Sequence, residues 1–529
     1  MGVRLGVGDN EKATVLSVIV CLFNPPNLKN RIVSPDDYYS WIYREKSVSL
    51  FNYVCPPYTL CQLSSLIKRD LLGVDVRVFD SRLSHSIEPE IILRTIREEY
   101  KPDLIVMLLG AYTLNHDIKY VPKDITTIGV ICPLDVSPEL AMRFHDISRI
   151  KYWVKNELER TILSTIENFK RSGAIDSTPG LLVSEGQDLR DTGDSKPYPL
   201  RELPVPDYDA VPMEEYFRLL SSDFSFKRTY FDSDRYATVF NNKGCVFSCR
   251  FCNLGIGHYD YKQPSQIIAE MRYFIERHSC NNFVFMGNEF TGNAEIAKAT
   301  CQAIIESGLK AKWSSGDRVE FIDEELIYLM AKSGCCCLVF GVETADPRLR
   351  EKFNRMQSNE QFKKVFGWCR KYGILTYANI IGGLVGEDEE TVKYNVELIK
   401  SAKPDRISMH YFFVAPGSDF YFELLNNNAL RHHDWSRYYW YWTDKEVLYF
   451  SHNRYKTYAE LIETADSQGR KLRRAIYLRK LKDTRGIKRL AYMIPYIKNS
   501  EFFEKVIASN LRDDPLYYRL ERWLRRHLQ

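Results

Sequence analysis

The chain has 529 residues, 13 of them cysteine, with 73 Lys plus Arg against 69 Asp plus Glu. At roughly 100–200 residues per domain that length makes two to four domains. An apolar content of 45% with 27% charge excludes fibrous and largely disordered classes. No apolar run reaches the ~18–20 residues of a membrane span, and Met1–Lys12 lacks the basic-then-apolar pattern of a secretory leader. A cytoplasmic protein whose cysteines are thiols or metal ligands is therefore expected.

The net charge of +4 is too small to imply nucleic acid, and it is unevenly placed. Residues 451–529 hold 19 Lys plus Arg and 9 Asp plus Glu, a net of +10, leaving 54 against 60 elsewhere, a net of −6.

From the N-terminus, Val15–Leu22 reads as a strand closed by Asn24-Pro25-Pro26. Thr59–Leu72 reads as a helix, Val74–Asp80 as a strand, Pro89–Glu99 as a helix, and Leu104–Leu109 and Ile125–Ile131 as buried strands. Strands alternating with helices imply an open parallel sheet of Rossmann or flavodoxin type over residues 1–170. Residues 171–230 read as a linker, rich in Gly, Pro, Ser and Asp up to Leu203-Pro204-Val205-Pro206.

A stronger rhythm follows. Strand-like runs begin near Tyr236, Asn282, Ala311, Cys335, Ile374 and Asp405. The helix-period stretches Ser265–His278, Ala294–Ser307, Asp323–Lys332, Asn359–Tyr372 and Glu389–Ser401 lie between them. Six such units over residues 231–420 predict a partial TIM barrel, (β/α)6, whose chemistry lies at the strand exits. Residues 421–529 read as a mostly helical extension that is basic and rich in aromatics.

At the first barrel strand exit stands Gly244-Cys245-Val246-Phe247-Ser248-Cys249-Arg250-Phe251-Cys252. Three thiols spaced C-x3-C-x2-C can converge on one inorganic centre. An iron–sulfur cluster normally takes four thiolates, so three leave one iron open. A zinc site needs a fourth ligand, which Cys280 or one of Cys335–Cys337 could supply. Cys335–Cys337 otherwise read as packing inside a buried strand.

This motif, with Phe251 before the last cysteine, resembles that of the radical S-adenosylmethionine (SAM) superfamily. Later strand exits carry the same resemblance in the same order. Gly287-Asn288-Glu289 resembles the Gly-Gly-Glu region at the SAM amino group, and Gly341-Val342-Glu343-Thr344 the Gly-Val-Glu-Ser segment. Gly382-Gly383-Leu384 resembles the glycine turn against the adenine, and Val414–Ser418 the proline–glycine segment after strand six. A planar Arg318 fork would suit the SAM carboxylate, and a surface ion pair is its ordinary alternative. Glu289 and Glu343 could equally be solvated or helix-capping carboxylates, and Gly382-Gly383 a plain tight turn.

The resemblance implies a [4Fe-4S] cluster on Cys245, Cys249 and Cys252, and SAM bound by Gly287, Asn288, Glu289, Arg318, Glu343, Gly382, Gly383 and Leu384. It also implies a 5′-deoxyadenosyl radical that activates an unreactive C–H bond, and an external electron donor of flavodoxin or ferredoxin type. The N-terminal sheet resembles that of the cobalamin-domain-fused branch, which implies cobalamin and methyl transfer to carbon. Tyr152–Thr161 resembles that branch's Gly-Glu-Gly-Glu stretch with both glycines lost, and Leu203–Tyr208 its approach to the barrel. The chain lacks the Asp-x-His-x-x-Gly ligand motif and the glycine pair near Val130–Pro133. An empty first sheet would leave C–C coupling, cyclisation or dehydrogenation as the reaction.

The aromatic run Trp435–Trp442 reads as an active-site cap or as plain packing. Arg470–Arg489 and Tyr517–Arg526 pair basic with apolar residues at helical spacing. They suit an anionic membrane surface, and with it a lipid or other small-molecule substrate, or else a solvated face.

Overall fold

The computed structural model describes residues 18–26, 56–84, 86, 88–111, 113–132, 138–142, 149–186, 188–221, 231, 233, 235–253, 259–431 and 448–484. Two sheets organise them. The first holds β1 (Val18–Asn24), β2 (Val74–Asp80), β3 (Leu104–Gly110), β4 (Thr126–Cys132), β5 (Tyr152–Val154), β6 (Leu181–Glu185) and β7 (Asp188–Asp191). Its order is β2-β1-β3-β4-β5-β6-β7, with β1 to β5 parallel and β6 and β7 added antiparallel. The order 2-1-3-4-5 is the flavodoxin-like winding, with its switch point between β1 and β3. Every residue of β3 is buried, as a strand covered on both faces must be.

The segment expected as a linker is more structured than its composition suggests. Residues 181–191 form the β6–β7 pair and extend the sheet, because Leu181, Leu182 and Val183 find an open edge beside β5. Further on, the backbone is clamped to the helix Tyr58–Asp70. Gln62 Nε2 donates to Pro204 O (3.0 Å), Ser65 Oγ to Val205 O (2.6 Å) and Ser64 Oγ to Asp207 Oδ2 (2.6 Å).

After a two-stranded pair, β9 (Asn242–Lys243) with β10 (Asp260–Tyr261), the second sheet is assembled. It comprises β8 (Ala237–Phe240), β11 (Asn282–Met286), β12 (Lys312–Asp317), β13 (Cys335–Glu343), β14 (Leu375–Gly382) and β15 (Arg406–Tyr411). All six are parallel and adjacent in chain order. The intervening helices start where local caps dictate. Asn293 and Asp323 accept from backbone N–H groups of the first turn, and Gln263/Gln266, Ser358/Gln361 and Asp388/Thr391 form capping boxes.

Side chains alternate across the strands. Phe285, Trp313, Leu338, Phe340, Ala378, Ile380, Ile407 and Met409 are buried on the helix side. By register the opposite face carries Thr238, Phe240, Met286, Ser314, Gly316, Gly341, Asn379, Ser408 and His410, most of them partly accessible.

The long helix Tyr458–Asp483 packs on β14, on β15 and against the helix Glu389–Ala402. It therefore covers the last strand as the earlier helices cover theirs. Gly469 permits the approach, since a Cβ there would lie 2.7 Å from Met409 Cγ. Trp435–Trp442 and Tyr517–Arg526 lie outside the described residues.

Candidate active site

The cysteine loop follows β9 and is opened by Gly244, whose φ of 66° favours glycine. Two distant segments hold it. Arg250 N–H donates to Phe353 O (3.1 Å), and Phe420 N–H donates to Arg250 O (2.8 Å). Asn354 Nδ2 donates to Ser248 O (2.9 Å) and Asn253 Nδ2 to Pro416 O (3.1 Å). Phe251 meets Phe353 edge-on at 5.7 Å. The loop is thus fixed by long-range hydrogen bonds, with Val414–Ser418 bracing it from beneath.

Cys245, Cys249 and Cys252 are all partly exposed thiols. Among the described residues no three His, Cys, Asp or Glu side chains converge closely enough to hold one metal ion. Thiolates sharing one zinc stand about 4 Å apart, whereas a cubane spreads them over separate irons. Three partly exposed cysteine thiols on one loop are the donor type that a [4Fe-4S] cluster takes. Cys280 and Cys335–Cys337 pack in or beside strands, Cys280, Cys335 and Cys337 being buried, as expected for packing thiols.

Two guanidinium groups meet at Cys249. Arg318 Nη1 lies 2.9 Å and Arg355 Nη1 3.3 Å from its Sγ. Arg318 also stacks on Phe247 at 3.5 Å, and Phe247 on Phe321. Its Nε and Nη2 are taken by Glu320. The fork expected to hold a SAM carboxylate is therefore engaged by the Cys249 thiol and by Glu320, two residues on, whose Oε1 accepts from both Nε and Nη2. Arg355 was not legible in the sequence. It follows the left-handed Asn354 (φ 54°), bonds Gly341 O and lies 3.8 Å from Glu343. Glu343 is itself left-handed (φ 59°) at a register irregularity of β13, and burial raises its carboxyl. A Cβ on Gly341 would lie 2.6 Å from Glu343 Oε1 and 3.2 Å from Arg355 Nη2, so this glycine leaves room for the two side chains.

Glu289 is turned inward rather than toward an open site. Its Oε1 accepts from Arg318 N–H (2.6 Å) and Thr291 Oγ1 (3.0 Å). Asp317 lies beside it, accepting from Thr291 N–H (2.9 Å) and from Ser315 Oγ. Burial and the neighbouring Asp317 drive the Glu289 carboxyl up, and burial pushes Asp317 up to about 7. Two buried carboxylates cannot both ionise at low cost, so the pair holds a proton near neutrality. Asn288 Nδ2 donates to Gly244 O (2.7 Å), tying this strand exit to the cysteine loop. Gly287 allows close approach, a Cβ there lying 1.9 Å from Asn242 Oδ1.

At the exit of β14 the glycine turn meets the long helix. A Cβ on Gly382 would lie 2.6 Å from Ala465 Cβ, and one on Gly383 (φ 86°) 2.5 Å from Leu461 Cγ. Leu384 is buried. The two glycines are thus explained first by helix packing.

The first sheet presents a polar edge at its switch point. Asn24 Nδ2 donates to Asp80 Oδ1 (3.3 Å), and Asp80 also pairs with buried Arg82 (2.7 Å) and accepts from Tyr216 (2.5 Å). Asn24 Oδ1 is buried without a hydrogen-bond partner. At the end of β3, buried Asp117 Oδ2 accepts from Gly110 N–H (2.9 Å) and Thr113 Oγ1 (2.6 Å). His116 Nε2 stands 3.1 Å from Pro26 O, and burial lowers the ring's pKa, favouring its neutral form. The unfilled acceptor Asn24 Oδ1, at the C-terminal ends of β1 and β2 beside the switch point, fits an amide-bearing ligand such as a corrinoid. Glu157 (φ 45°) and Glu159 of the Tyr152–Thr161 segment lie 3.3 and 3.9 Å from Lys243 Nζ, just before the cysteine loop.

A parallel α/β sheet whose first strand exit bears three clamped thiols, preceded by a flavodoxin-like sheet, defines the class. Residues 242–399 match the Radical SAM superfamily. The chain is 23% identical over 400 residues to an uncharacterized methyltransferase of Pyrococcus horikoshii, over 72% of this chain and 81% of that protein. Its fold is shared with the radical SAM methyltransferase TsrM of Kitasatospora setae, solved with cobalamin and a [4Fe-4S] cluster. The match has a TM-score of 0.62 and 17% identity, and covers 79% of each chain. It is shared also with the cobalamin-dependent radical enzyme OxsB, solved with aqua-cobalamin and SAM. Here the TM-score is 0.60 at 13% identity, over 97% of this chain and 76% of that one.

Proposed function

We propose that the protein is a cobalamin-dependent radical SAM methyltransferase that alkylates an unactivated carbon. The observation that carries the reading is the pairing of three partly exposed, loop-clamped thiols with a 2-1-3-4-5 sheet whose switch point retains an unsatisfied buried acceptor. The six-stranded sheet is read as a partial (β/α)6 barrel, with its polar, accessible face as the substrate cavity. TsrM and OxsB, which share the fold, were solved with cobalamin, and the P. horikoshii relative is named a methyltransferase.

When bound, the cluster supplies the electron that splits SAM into methionine and a 5′-deoxyadenosyl radical, and cobalamin supplies the methyl group. Cys245, Cys249 and Cys252 would hold the cluster, and Asn24 would meet the corrinoid at the switch point. Arg318 and Arg355 place positive charge and hydrogen-bond donors at the Cys249 sulfur, which would raise the potential of a bound cluster. The Phe247–Phe321 stack and the Phe251–Phe353 contact set apolar rings against the loop. Asn379, Ser408 and His410 offer neutral hydrogen-bonding groups to a substrate. Burial pushes His410 down to about 4, so it stays uncharged at neutral pH.

A flavodoxin- or ferredoxin-type protein is the proposed electron donor. A small-molecule substrate is proposed, a lipid among the candidates, because Lys471, Arg474 and Lys482 are exposed along one side of the long helix. Among the described residues no helix is long and apolar enough to cross a membrane. The test is anaerobic reconstitution followed by assay for 5′-deoxyadenosine and S-adenosylhomocysteine, with corrinoid absorbance in the denatured supernatant. Reconstituted protein that never cleaves SAM refutes the radical reading; cleavage with a colourless supernatant refutes only the cobalamin.

A further inference from the structure

The Gly382-Gly383 turn is held by a network that comes from the far end of the chain. Gly383 N–H donates to Glu387 Oε2 (2.9 Å). Glu387 is almost fully buried, and its Oε1 accepts from Gln468 Nε2 (2.5 Å) and the Tyr455 hydroxyl (3.3 Å). His452 Nε2 stands 3.0 Å from Gly383 O, while its Nδ1 accepts from the backbone N–H groups of Arg454 (3.0 Å) and Tyr455 (3.3 Å). With Nδ1 accepting, Nε2 must carry the proton and donate to Gly383 O, so geometry alone fixes the neutral tautomer. Gly386 N–H donates to Asn453 Oδ1 (2.9 Å), and Leu461 fills the space beside Gly383.

Both polar backbone atoms of Gly383 are therefore satisfied by groups that residues 448–484 supply or orient. A glycine at φ 86° is intrinsically the most mobile point of such a turn.

We propose that residues 448–484 are a positioning element for SAM, in which His452 and the Gln468–Glu387 pair fix the turn after β14 in its binding-competent shape. This rests on the reading of that turn as part of the SAM site. His452, Glu387, Tyr455 and Gln468 are positioning residues that act through the Gly383 backbone. The C-terminal region thereby acquires a role in cofactor affinity that its composition does not announce.

The experiment measures SAM affinity by equilibrium dialysis on the full-length, anaerobically reconstituted protein, with iron content measured on the same samples. His452→Leu and Gln468→Leu are expected to raise the SAM Kd about tenfold or more at unchanged iron content, a loss of about 1.4 kcal/mol. His452→Gln, whose amide can donate to Gly383 O, is expected to recover most of that loss. Glu463→Ala, exposed on the same helix, gives the baseline. Dissociation constants within twofold of wild type for both leucine variants overturn the proposal. So does SAM binding that falls only in proportion to iron, since the contacts would then merely hold the fold. Wild-type protein that binds iron but no SAM refutes the proposed function instead, which separates the two failures.

Discussion

The two parallel sheets use the same winding physics to different ends. In the first, β3 is buried along its whole length, and the polar groups Asn24, Asp80 and Asp117 are gathered at one edge. In the second, one face is packed under helices while the other carries Gly316, Gly341, Asn379, Ser408 and His410 and stays partly accessible. A sheet covered on both faces can offer a ligand only its rim, as at a switch point. A sheet with one uncovered face can surround a ligand. On the proposed function, the first sheet is a platform and the second a chamber.

The largest expected effect tests whether the two roles are separable. Replacing Cys245, Cys249 and Cys252 together by Ala should abolish iron binding and SAM cleavage completely, while corrinoid binding stays near wild type. Iron analysis and corrinoid absorbance on the same preparation check it. Joint loss of both cofactors would mean that rim and chamber fold as one site.

Next come two buried ion pairs, one in each region. Asp80→Ala leaves Arg82 buried without its bidentate carboxylate and should cost about 3–5 kcal/mol of stability. Arg355→Ala uncovers the Glu343 carboxyl and should cost about 3 kcal/mol. Only Arg355→Ala should also lower the cluster's reduction potential, because it removes a positive charge and a hydrogen bond from Cys249. Denaturant unfolding and a potentiometric titration followed by electron paramagnetic resonance distinguish them. An unchanged potential in Arg355→Ala would remove the arginine pair from the account of the cluster.

Much of this contrast was legible in the sequence. The six strands of the second sheet begin within one residue of the expected positions, because period-2 and period-3.6 patterns and the caps at Asn293, Asp323, Ser358 and Asp388 are local signals. The cysteine loop was legible for the same reason. Side-chain aim was not. Arg318 was expected to face SAM and instead engages Glu320 and Cys249, and Glu289 turns toward Asp317. Those outcomes depend on partners brought together by the fold, as does Arg355, which lies 106 residues from Cys249. The β6–β7 pair was missed because its stability comes from a vacant sheet edge, which no local composition records.

A pH series compares the two regions through their buried acids. Asp117 has its carboxyl pushed up to about 7 by burial, against about 4 in an unfolded chain. The unfolded state therefore releases its proton first as pH rises. The stability linked to Asp117 is complete below about pH 4, declines up to about pH 7 and is flat above that. Asp117→Asn keeps an acceptor for Gly110 N–H and Thr113, and should flatten this slope, with a gain on the order of 3 kcal/mol at pH 8 relative to wild type. Asp317 follows the same sign, so Asp317→Asn should also stabilise at pH 8, by relieving its repulsion with Glu289. Unfolding curves at pH 4.5 and 8 check both, and a steeper slope in either variant contradicts the assignment.

The smallest effect concerns the seam between the regions. Lys243 Nζ lies 3.3 Å from Glu157 and 3.9 Å from Glu159, and the lysine side chain is 30% exposed. Pairs so placed are screened by water and contribute less than ~1 kcal/mol. Lys243→Ala should therefore change stability by only a few tenths of a kcal/mol. It also removes the ionic tie between the end of β5 and the strand that launches the cysteine loop. If the sheets act as independent platform and chamber, SAM cleavage and corrinoid affinity in this variant both stay within twofold of wild type. If corrinoid affinity falls while stability does not, the seam transmits position from the first sheet's rim to the cysteine loop, and the two glutamates of the altered Gly-Glu-Gly-Glu segment are its contacts.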